Sequence, residues 1–231
     1  MQHRADERFA MCSTFKFLAA AFVLARVERG EEHRERRVRF TKEDLVPYSP
    51  VTEAHTDETG MTLDALCEAA ITRSDNTAGN LLLASFGGPQ GLTAYARSLG
   101  DSVTRLDRTE TQLNEATPGD VRDTTTPAAM GENMRRLLIG NALSAASRER
   151  LSAWLIANRT GDRRLRAGLP AGWRVGDKTG SNGRSATNDI AIVWPPQGGP
   201  FLVTAYYDAP SLSEEQRNAV LADVGRVVAS W

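Results

Sequence analysis

The sequence of 231 residues predicts an α+β fold. Helical patterns fill the first two thirds of the chain, three segments rich in Val, Ile, Trp and Tyr follow Gly168, and an amphipathic pattern closes it. A run of helices followed by a run of strands is typical of α+β proteins, whereas strict alternation would indicate a parallel sheet. We therefore expect an all-helical subdomain packed on an antiparallel sheet that is flanked by helices.

Two helices are predicted in the first third. Ser13 opens the apolar, Ala-rich stretch Phe15–Val27, which holds no Pro or Gly and is typical of a buried helix. The interleaved charges of residues 28–39 favour a solvated loop. Thr62 predicts the cap of a second helix through Ile71, because a threonine oxygen there can accept a free backbone N–H.

Further helices are expected on both sides of one long loop. Residues 106–123 are polar, contain Pro118-Gly119 and show no apolar period, so they predict a loop. Loops of that length in compact chains are usually functional. The helices expected around it are Asn76–Phe86, Pro89–Leu99, Thr126–Ile139 and Leu143–Ile156.

The last third predicts a meander and a closing helix. The residues at 195–200 form a Pro- and Gly-rich connection between the last two strands. Ser211-Leu212-Ser213-Glu214 has the spacing of a capping box and opens an amphipathic helix through Val228. The three strands are expected at Trp173–Thr179, Asp189–Trp194 and Phe201–Tyr207.

Composition disfavours several classes of protein. The net charge is −1, so no nucleic-acid partner is indicated, and no apolar run approaches the roughly 20 residues that span a membrane. Two cysteines and three scattered histidines cannot build a disulfide framework or a multi-thiolate metal site. We expect no metal and no cofactor.

Three short motifs carry chemistry. Ser13-Thr14-Phe15-Lys16 places a hydroxyl and an amine on one helix face, where the amine can serve as a base if burial lowers its pKa. Ser74-Asp75-Asn76 lies between two helices, although an ordinary helix cap explains that triplet equally well. Lys178-Thr179-Gly180-Ser181 ends the first strand and suits an anionic substrate, although a strand entering a Gly turn gives the same pattern.

In this order the three motifs resemble those of the class A serine β-lactamases, and the resemblance covers nearly the whole chain. Glu110-Thr111-Gln112-Leu113-Asn114 is similar to the family's omega-loop motif E-x-x-L-N. Arg108 and Asp123 match the ion pair at the neck of that loop. The segment around Tyr48 resembles the one whose aromatic residue borders the substrate entrance.

The resemblance implies a β-lactamase/transpeptidase-like fold. Residues 13–157 would form the all-α subdomain, with the omega loop at 106–123, and residues 1–12 and 158–231 the α/β subdomain. The family has an N-terminal helix and two strands before this point, so we expect the sheet to lack two strands. A protein of this family is expected to be monomeric, without nucleic-acid or membrane partners, and periplasmic or secreted, although no signal peptide is visible.

The resemblance also implies a mechanism. Ser13 would attack the β-lactam carbonyl, and Ser74 would relay a proton to the lactam nitrogen. Either Lys16 or Glu110 would be the acylation base, a choice that the sequence leaves open. Glu110 would activate the deacylating water, which Asn114 would hold.

The remaining implied residues bind substrate. Asn76 would bind the side-chain amide, Tyr48 would border the entrance, and Gly180 would let the backbone approach. The backbone N–H groups of Ser13 and Ser181 would form the oxyanion hole. The substrate carboxylate would be bound by Lys178, Thr179, Ser181 and an arginine, for which the candidates are Arg164 and then Arg217; a solvated basic turn explains Arg163–Arg166 as well.

Three alternatives remain. A penicillin-binding D,D-peptidase shares the serine and lysine motifs, but it lacks the deacylating glutamate that Glu110 would supply. A β-lactam sensor would be acylated and stay acylated. An inactive truncated fragment would keep the motifs without a stable scaffold, because an unpaired sheet edge invites aggregation.

Overall fold

The computed structural model describes residues 1–230 and confirms the α+β class. The helices are α1 (Phe15–Glu28), α2 (Leu63–Thr72), α3 (Asn76–Ser85), α4 (Gly88–Ser98), α5 (Pro127–Met134), α6 (Ala145–Ile156), α7 (Leu165–Gly168) and α8 (Glu214–Ala229). The strands are β1 (Phe9–Ala10), β2 (Arg37–Val38), β3 (Met61–Thr62), β4 (Thr124–Thr125), β5 (Arg174–Ser181), β6 (Ala186–Trp194) and β7 (Phe201–Asp208).

Helix α1 lies at the centre of the helical part. Every residue from Phe15 to Ala21 is fully buried, and α2, α3, α4 and α6 pack around this helix. A helix that is buried on all sides has no need of a polar face, which explains why residues 17–25 of α1 are all apolar. The Ser13-x-x-Lys16 motif therefore lies at the start of a fully packed helix.

Strand β6 is the middle strand of an antiparallel sheet in the order β5–β6–β7. Ile190 and Ile192 join the core shared with the helices, whereas Ala191 and Val193 join a second core beneath α7 and α8. Successive side chains of a strand point to opposite faces, so β6 is apolar on both. Within residues 1–230, β7 pairs with β6 alone.

The capping box predicted at Ser211 was wrong. Ser213 caps α8, with its Oγ accepting from Gln216 N at 3.2 Å, and its own N–H donates to Gln216 Oε1 at 2.9 Å. Ser-x-x-Glu at 211 and Ser-x-x-Gln at 213 both satisfy the pattern, and Leu212 bonds back to Ala209 in a turn. Helix α7 and the four two-residue strands were not predicted, because they are too short to show a period.

The two cysteines behave as small apolar residues. Cys12 and Cys67 are both buried and free, and burial raises the pKa of Cys12 to about 12. A thiol of that kind is protonated at neutral pH and does not compete with the neighbouring Ser13 as a nucleophile.

No helix within residues 1–230 combines the length and the apolar character needed to cross a bilayer.

Candidate active site

Ser13 lies in a short 3₁₀ turn, Cys12–Thr14, that leads directly into α1. Cys12 before it adopts a φ of 45°, a left-handed conformation that side chains rarely adopt and that clusters at functional sites. Lys16 lies one turn further on and donates from Nζ to Ser13 Oγ at 2.9 Å. The predicted contact between residues three apart on one helix face is therefore confirmed.

The Lys16 ammonium group has two further acceptors and one ion-pair partner. It donates to Ser74 O at 2.9 Å and to Asn76 Oδ1 at 2.6 Å, and its Nζ lies 3.0 Å from Glu110 Oε1. The Lys16 side chain is fully buried, and this burial lowers the pKa of its amine, although the Glu110 carboxylate opposes the effect. Lys16 thus connects all three segments that carry candidate catalytic groups.

Glu110 is held from both its backbone and its side chain. Asn80 on α3 accepts from Glu110 N at 2.8 Å and donates to Glu110 O at 3.0 Å. Asn114 Nδ2 donates to Glu110 Oε2 at 2.5 Å, and Ser13 Oγ donates to Oε1 at 3.3 Å. The carboxylate therefore faces both the nucleophile and Asn114. Asn114 Oδ1 is buried and accepts no hydrogen bond from any residue in the range 1–230.

An ion pair closes the neck of the predicted loop. Arg108 Nε donates to Asp123 Oδ2 at 2.6 Å, and Asp123 Oδ1 accepts the backbone N–H groups of Asp107 and Arg108 at 2.8 and 3.0 Å. The Asp123 side chain is buried. The loop at 106–123 is irregular apart from one short 3₁₀ turn. The ion pair and the two backbone hydrogen bonds hold its ends together.

A second buried lysine faces Ser74. Lys178 Nζ donates to Ser74 Oγ at 3.0 Å and to Thr179 O at 2.7 Å. Lys178 is fully buried, and burial, followed by repulsion from the nearby Lys16 charge, holds its pKa well below the ordinary range. Ser74 has a φ of 56° in the turn between α2 and α3. Ser74 is accordingly contacted by two amines, by Lys178 at its hydroxyl and by Lys16 at its backbone carbonyl.

The buried carboxylate of Asp75 fixes the segment that carries Tyr48. Asp75 Oδ2 accepts from Val51 N and Thr52 N at 2.9 Å each, while its Oδ1 caps α3 through Ala78 N. Tyr48 O accepts from Asn76 N at 3.0 Å, and 61% of the Tyr48 surface is exposed. An exposed ring on an anchored backbone suits the predicted place at the entrance.

Strand β5 lies directly against the segment before Ser13. A Cβ on Gly180 would come within 2.7 Å of Met11 O, so only glycine permits this approach. The end of β5 that carries Ser181 therefore packs against the turn that carries Ser13, which suits the predicted oxyanion hole. Thr179 Oγ1 lies 2.5 Å from Thr160 Oγ1, a contact that joins the strand to the segment before α7.

The two candidate arginines have different surroundings. Arg164 Nη1 donates to Gly180 O at 3.0 Å and to Asn188 O at 2.8 Å, whereas Arg217 Nε donates to Thr187 Oγ1 at 2.9 Å. Both are buried, and neither pairs with a carboxylate among the described residues. Arg164 thus bonds both the K-T-G strand and β6, while the strand contact of Arg217 is with β6.

A cleft of about 500 Å³ runs between the omega loop and the turn after β5. Asn114 and Glu115 line one wall, and Ser181 and Asn182 line the other. Arg184 Nη2 donates to Glu115 O at 2.9 Å and so links the two walls. The cleft is bordered by groups that can donate and accept hydrogen bonds.

The site geometry agrees with comparisons to known proteins. The chain matches the model of the Beta-lactamase enzyme family over residues 1–231. It belongs to the class A β-lactamases. It is 53% identical over 226 residues to "Beta-lactamase L2" of Stenotrophomonas maltophilia, which covers 97% of this chain and 74% of that relative.

Two more comparisons support the family and the fold. The chain is 50% identical over 226 residues to "Beta-lactamase Toho-1" of Escherichia coli, covering 98% of this chain and 77% of the relative. The solved structure "Ancestral (GNCA) Beta-lactamase class A" superposes with a TM-score of 0.98 at 62% identity, covering 100% of this chain and 88% of that one.

Sequence reasoning missed two residues of this class A site. Asn80, which pins Glu110, lies four residues after Asn76 on α3, so helical spacing could have indicated it. Thr160, which contacts Thr179, carries no local signal, because it reaches β5 only through the folded chain.

Proposed function

We propose that this class A β-lactamase hydrolyses the β-lactam ring of penicillins and cephalosporins through an acyl-enzyme on Ser13. One observation carries the proposal: the Lys16 amine lies 2.9 Å from Ser13 Oγ and 3.0 Å from Glu110 Oε1 inside a buried site. A nucleophile in contact with a base of lowered pKa and a carboxylate is the arrangement that serine acyl transfer requires.

Acylation begins with attack of Ser13 Oγ on the lactam carbonyl carbon. The hydroxyl proton passes to Lys16 or Glu110, and both routes have support, because Ser13 Oγ contacts Lys16 at 2.9 Å and Glu110 at 3.3 Å. The N–H groups of Ser13 and Ser181 stabilise the oxyanion, a term worth about 2.7–4 kcal/mol per donor in other enzymes. Ser74 protonates the lactam nitrogen as the C–N bond breaks.

Deacylation requires a water and a base on the same side of the ester. Glu110 takes a proton from that water, whose oxygen attacks the ester carbonyl and releases Ser13. Asn114 supports this role in two ways: its Nδ2 orients Glu110, and its Oδ1 has no partner among residues 1–230 and suits the water as an acceptor. A general base of this kind contributes about 10²–10⁴ in rate.

Substrate binding uses both sides of the cleft. Lys178, Thr179 and Arg164 bind the ring carboxylate, and the positive charge of Lys178 and Arg164 favours an anion at that end. Asn76 donates one hydrogen of Nδ2 to Pro47 O at 2.8 Å, so its second hydrogen serves the substrate's side-chain amide. Ser181 completes the carboxylate site, and Tyr48 borders the entrance.

A chromogenic cephalosporin tests the activity. The purified chain is expected to turn it over repeatedly, and Ser13→Ala is expected to abolish turnover, while Ser98→Ala on exposed α4 serves as the matched control. A single stoichiometric colour change without turnover would instead indicate an acylated sensor or penicillin-binding protein. Absence of any reaction, with circular dichroism showing a folded chain, would contradict the proposal.

We also infer from the family that the enzyme acts as a monomer in the periplasm or after secretion. Activity in the periplasmic or culture fraction of the producing cell, and a sedimentation mass near 25.2 kDa for this chain, are the expected results. Activity confined to the cytoplasm, or a stable dimer, would contradict these two inferences.

A further inference from the structure

Two fully buried carboxyl groups lie side by side behind the K-T-G strand. Thr179 on β5 pairs with Asp189 on β6, and Asp177 lies two residues before Thr179. Residues two apart on a strand share a face, so Asp177 and Asp189 are diagonal neighbours across the two strands. Consecutive residues bond the two carboxyls, since Leu165 N donates to Asp189 and Arg166 Nε donates to Asp177, so the pair lies close together. Two carboxyls that are both buried and adjacent cannot both be ionised.

The hydrogen bonds around the pair differ between its members. Asp177 Oδ1 accepts from Arg166 Nε at 2.5 Å, and its Oδ2 accepts from Asn158 Nδ2 at 2.7 Å. Asp189 Oδ2 accepts from Leu165 N at 3.2 Å, whereas its Oδ1 receives no donor from any residue in 1–230. Asp177 is therefore equipped as the anion, and Asp189 has one oxygen left to carry a hydrogen.

The electrostatics favour the same assignment. Burial, followed by the neighbouring Asp177 charge, raises the pKa of Asp189 well above its ordinary range. Asp177 in turn has the Arg166 guanidinium as an ion-pair partner. None of these carboxyl groups takes part in the hydrolytic mechanism proposed above.

A chain of hydrogen bonds leads from Asp177 to the substrate site. Asn158 donates from Nδ2 to Asp177 Oδ2 at 2.7 Å and turns its Oδ1 toward Thr160, whose N lies 3.1 Å and whose Oγ1 lies 2.9 Å from it. Because Thr160 N already donates to this oxygen, the Thr160 hydroxyl can give its hydrogen to Thr179 in the 2.5 Å contact, which leaves the Thr179 hydrogen for the substrate carboxylate. The charge on Asp177 thereby sets the orientation of the Asn158 amide, which anchors Thr160 and, through it, Thr179.

The same carboxyl pair holds the segment that carries Arg164. A Cβ on Gly161 would lie 1.9 Å from Asp177 Oδ2, so the chain wraps tightly around this carboxylate. Leu165 N bonds Asp189, and Arg164 between these anchors reaches Gly180 O on β5. Asp177 and Asp189 therefore position both Thr179 and Arg164.

We propose that Asp177 and Asp189 share a single proton, carried by Asp189, and that ionised Asp177 is a positioning residue that orients Thr179 and Arg164 toward the substrate carboxylate. The role in catalysis rests on the proposed β-lactam hydrolysis. The location of the proton does not, since it concerns the free enzyme.

Isosteric variants distinguish the roles of the two carboxyl groups. Asp189→Asn keeps a hydrogen for Asp177 and an acceptor for Leu165 N, so kcat and KM are expected to stay within about threefold of the parent. Asp177→Asn removes the anion that holds the Asn158 amide and the Arg166 guanidinium, so KM for a penicillin is expected to rise by about tenfold or more, with a smaller change in kcat. Equal damage from both variants would overturn the proposal.

A second variant guards against loss of folding in Asp177→Asn. Thr160→Val interrupts the chain without touching the acid pair, and it is expected to raise KM more than it lowers kcat. A Thr160→Val enzyme with unchanged KM would contradict the positioning role.

Infrared spectroscopy tests the proton without any substrate. At neutral pH the parent chain is expected to show one buried protonated carboxyl band, which shifts in D₂O and disappears in Asp189→Asn. If the parent lacks that band, or the band survives in Asp189→Asn, the assignment is wrong. A chain that shows the band but does not hydrolyse β-lactams would refute the proposed function and leave the proton assignment standing.

Discussion

Lys16 Nζ lies 3.0 Å from Glu110 Oε1, and both side chains are fully excluded from solvent. A buried ion pair of this kind costs desolvation free energy that its own attraction does not reliably offset. The amine also donates to Ser13, Ser74 and Asn76, so its charge is extensively hydrogen-bonded. We conclude that the pair is placed for its contact with Ser13 rather than for stability.

Removing one member of this pair should cost stability. Lys16→Met leaves the Glu110 carboxylate buried without its partner, so the free energy of unfolding is expected to fall by about 3–5 kcal/mol. The double variant Lys16→Met/Glu110→Gln has no buried charge at this position and should recover much of that loss. Urea unfolding followed by circular dichroism measures both. A double variant no more stable than Lys16→Met would contradict the account.

Replacing Lys178 should have the opposite effect on stability to replacing Lys16. Burial and the Lys16 charge lower its pKa below the unfolded value of 10.5, so the folded state binds this proton less tightly than the unfolded state. The resulting penalty is largest at low pH and shrinks as the pH rises toward 10.5. Lys178→Met is therefore expected to stabilise the chain at pH 7 by about 1 kcal/mol or more while abolishing activity.

Denaturant unfolding of the parent and Lys178→Met at neutral and alkaline pH checks this trend. The gain in stability should be smaller at the higher pH. Lys42→Met, on an exposed 3₁₀ turn, is the control and should leave the free energy of unfolding unchanged at both pH values. A Lys178→Met chain that is less stable than the parent at pH 7 would show that the hydrogen bonds to Ser74 and Thr179 outweigh the desolvation of the amine.

The neck of the omega loop should control deacylation. Asp123→Asn removes the charge that pairs with Arg108 and accepts two backbone N–H groups. Removing one partner of such a pair typically costs about 3–5 kcal/mol when it is buried. We expect faster hydrogen exchange confined to residues 106–123 and slower release of the acyl group. Unchanged exchange in that loop would contradict the role of the pair; Asp6→Asn, outside the loop, is the control.

Arg164 should affect binding more than turnover. Arg164→Ala is expected to raise KM for a penicillin by about tenfold, because the guanidinium holds Gly180 and adds positive charge beside Lys178. Arg163→Ala is the matched control, since Arg163 is adjacent in sequence but exposed. Steady-state kinetics on both variants tests this prediction by comparing their KM values. If Arg163→Ala raises KM equally, Arg164 has no special role, and the solvated basic turn is the better interpretation.

Motif spacing correctly predicted the local contact between Ser13 and Lys16. Ser13 and Lys16 meet because residues three apart share a helix face, and this follows from helix geometry alone. Thr62 caps α2 as expected, with its Oγ1 accepting from Ala65 N at 3.1 Å. Local rules of this kind act over one or two turns, so they survive folding unchanged.

Interactions between segments that are distant along the chain could not be predicted from the sequence. Lys178 and Ser74 are 104 positions apart, and only the packing of β5 against the helices brings them together. The strand β6 begins at Ala186 rather than at the predicted Asp189, because Thr187 and Asn188 are buried by cross-strand neighbours despite their polar side chains. Tertiary burial overrode local composition there.

The most direct test of the account is mass spectrometry of the intact chain after mixing with a penicillin. The parent is expected to return to its free mass as substrate is consumed, Glu110→Ala to accumulate a one-to-one adduct of the chain and the penicillin, and Ser13→Ala to show no adduct. Glu68→Ala, an exposed glutamate on α2, is expected to match the parent. Equal adducts on Ser13→Ala and Glu110→Ala would contradict both the nucleophile and the deacylating base.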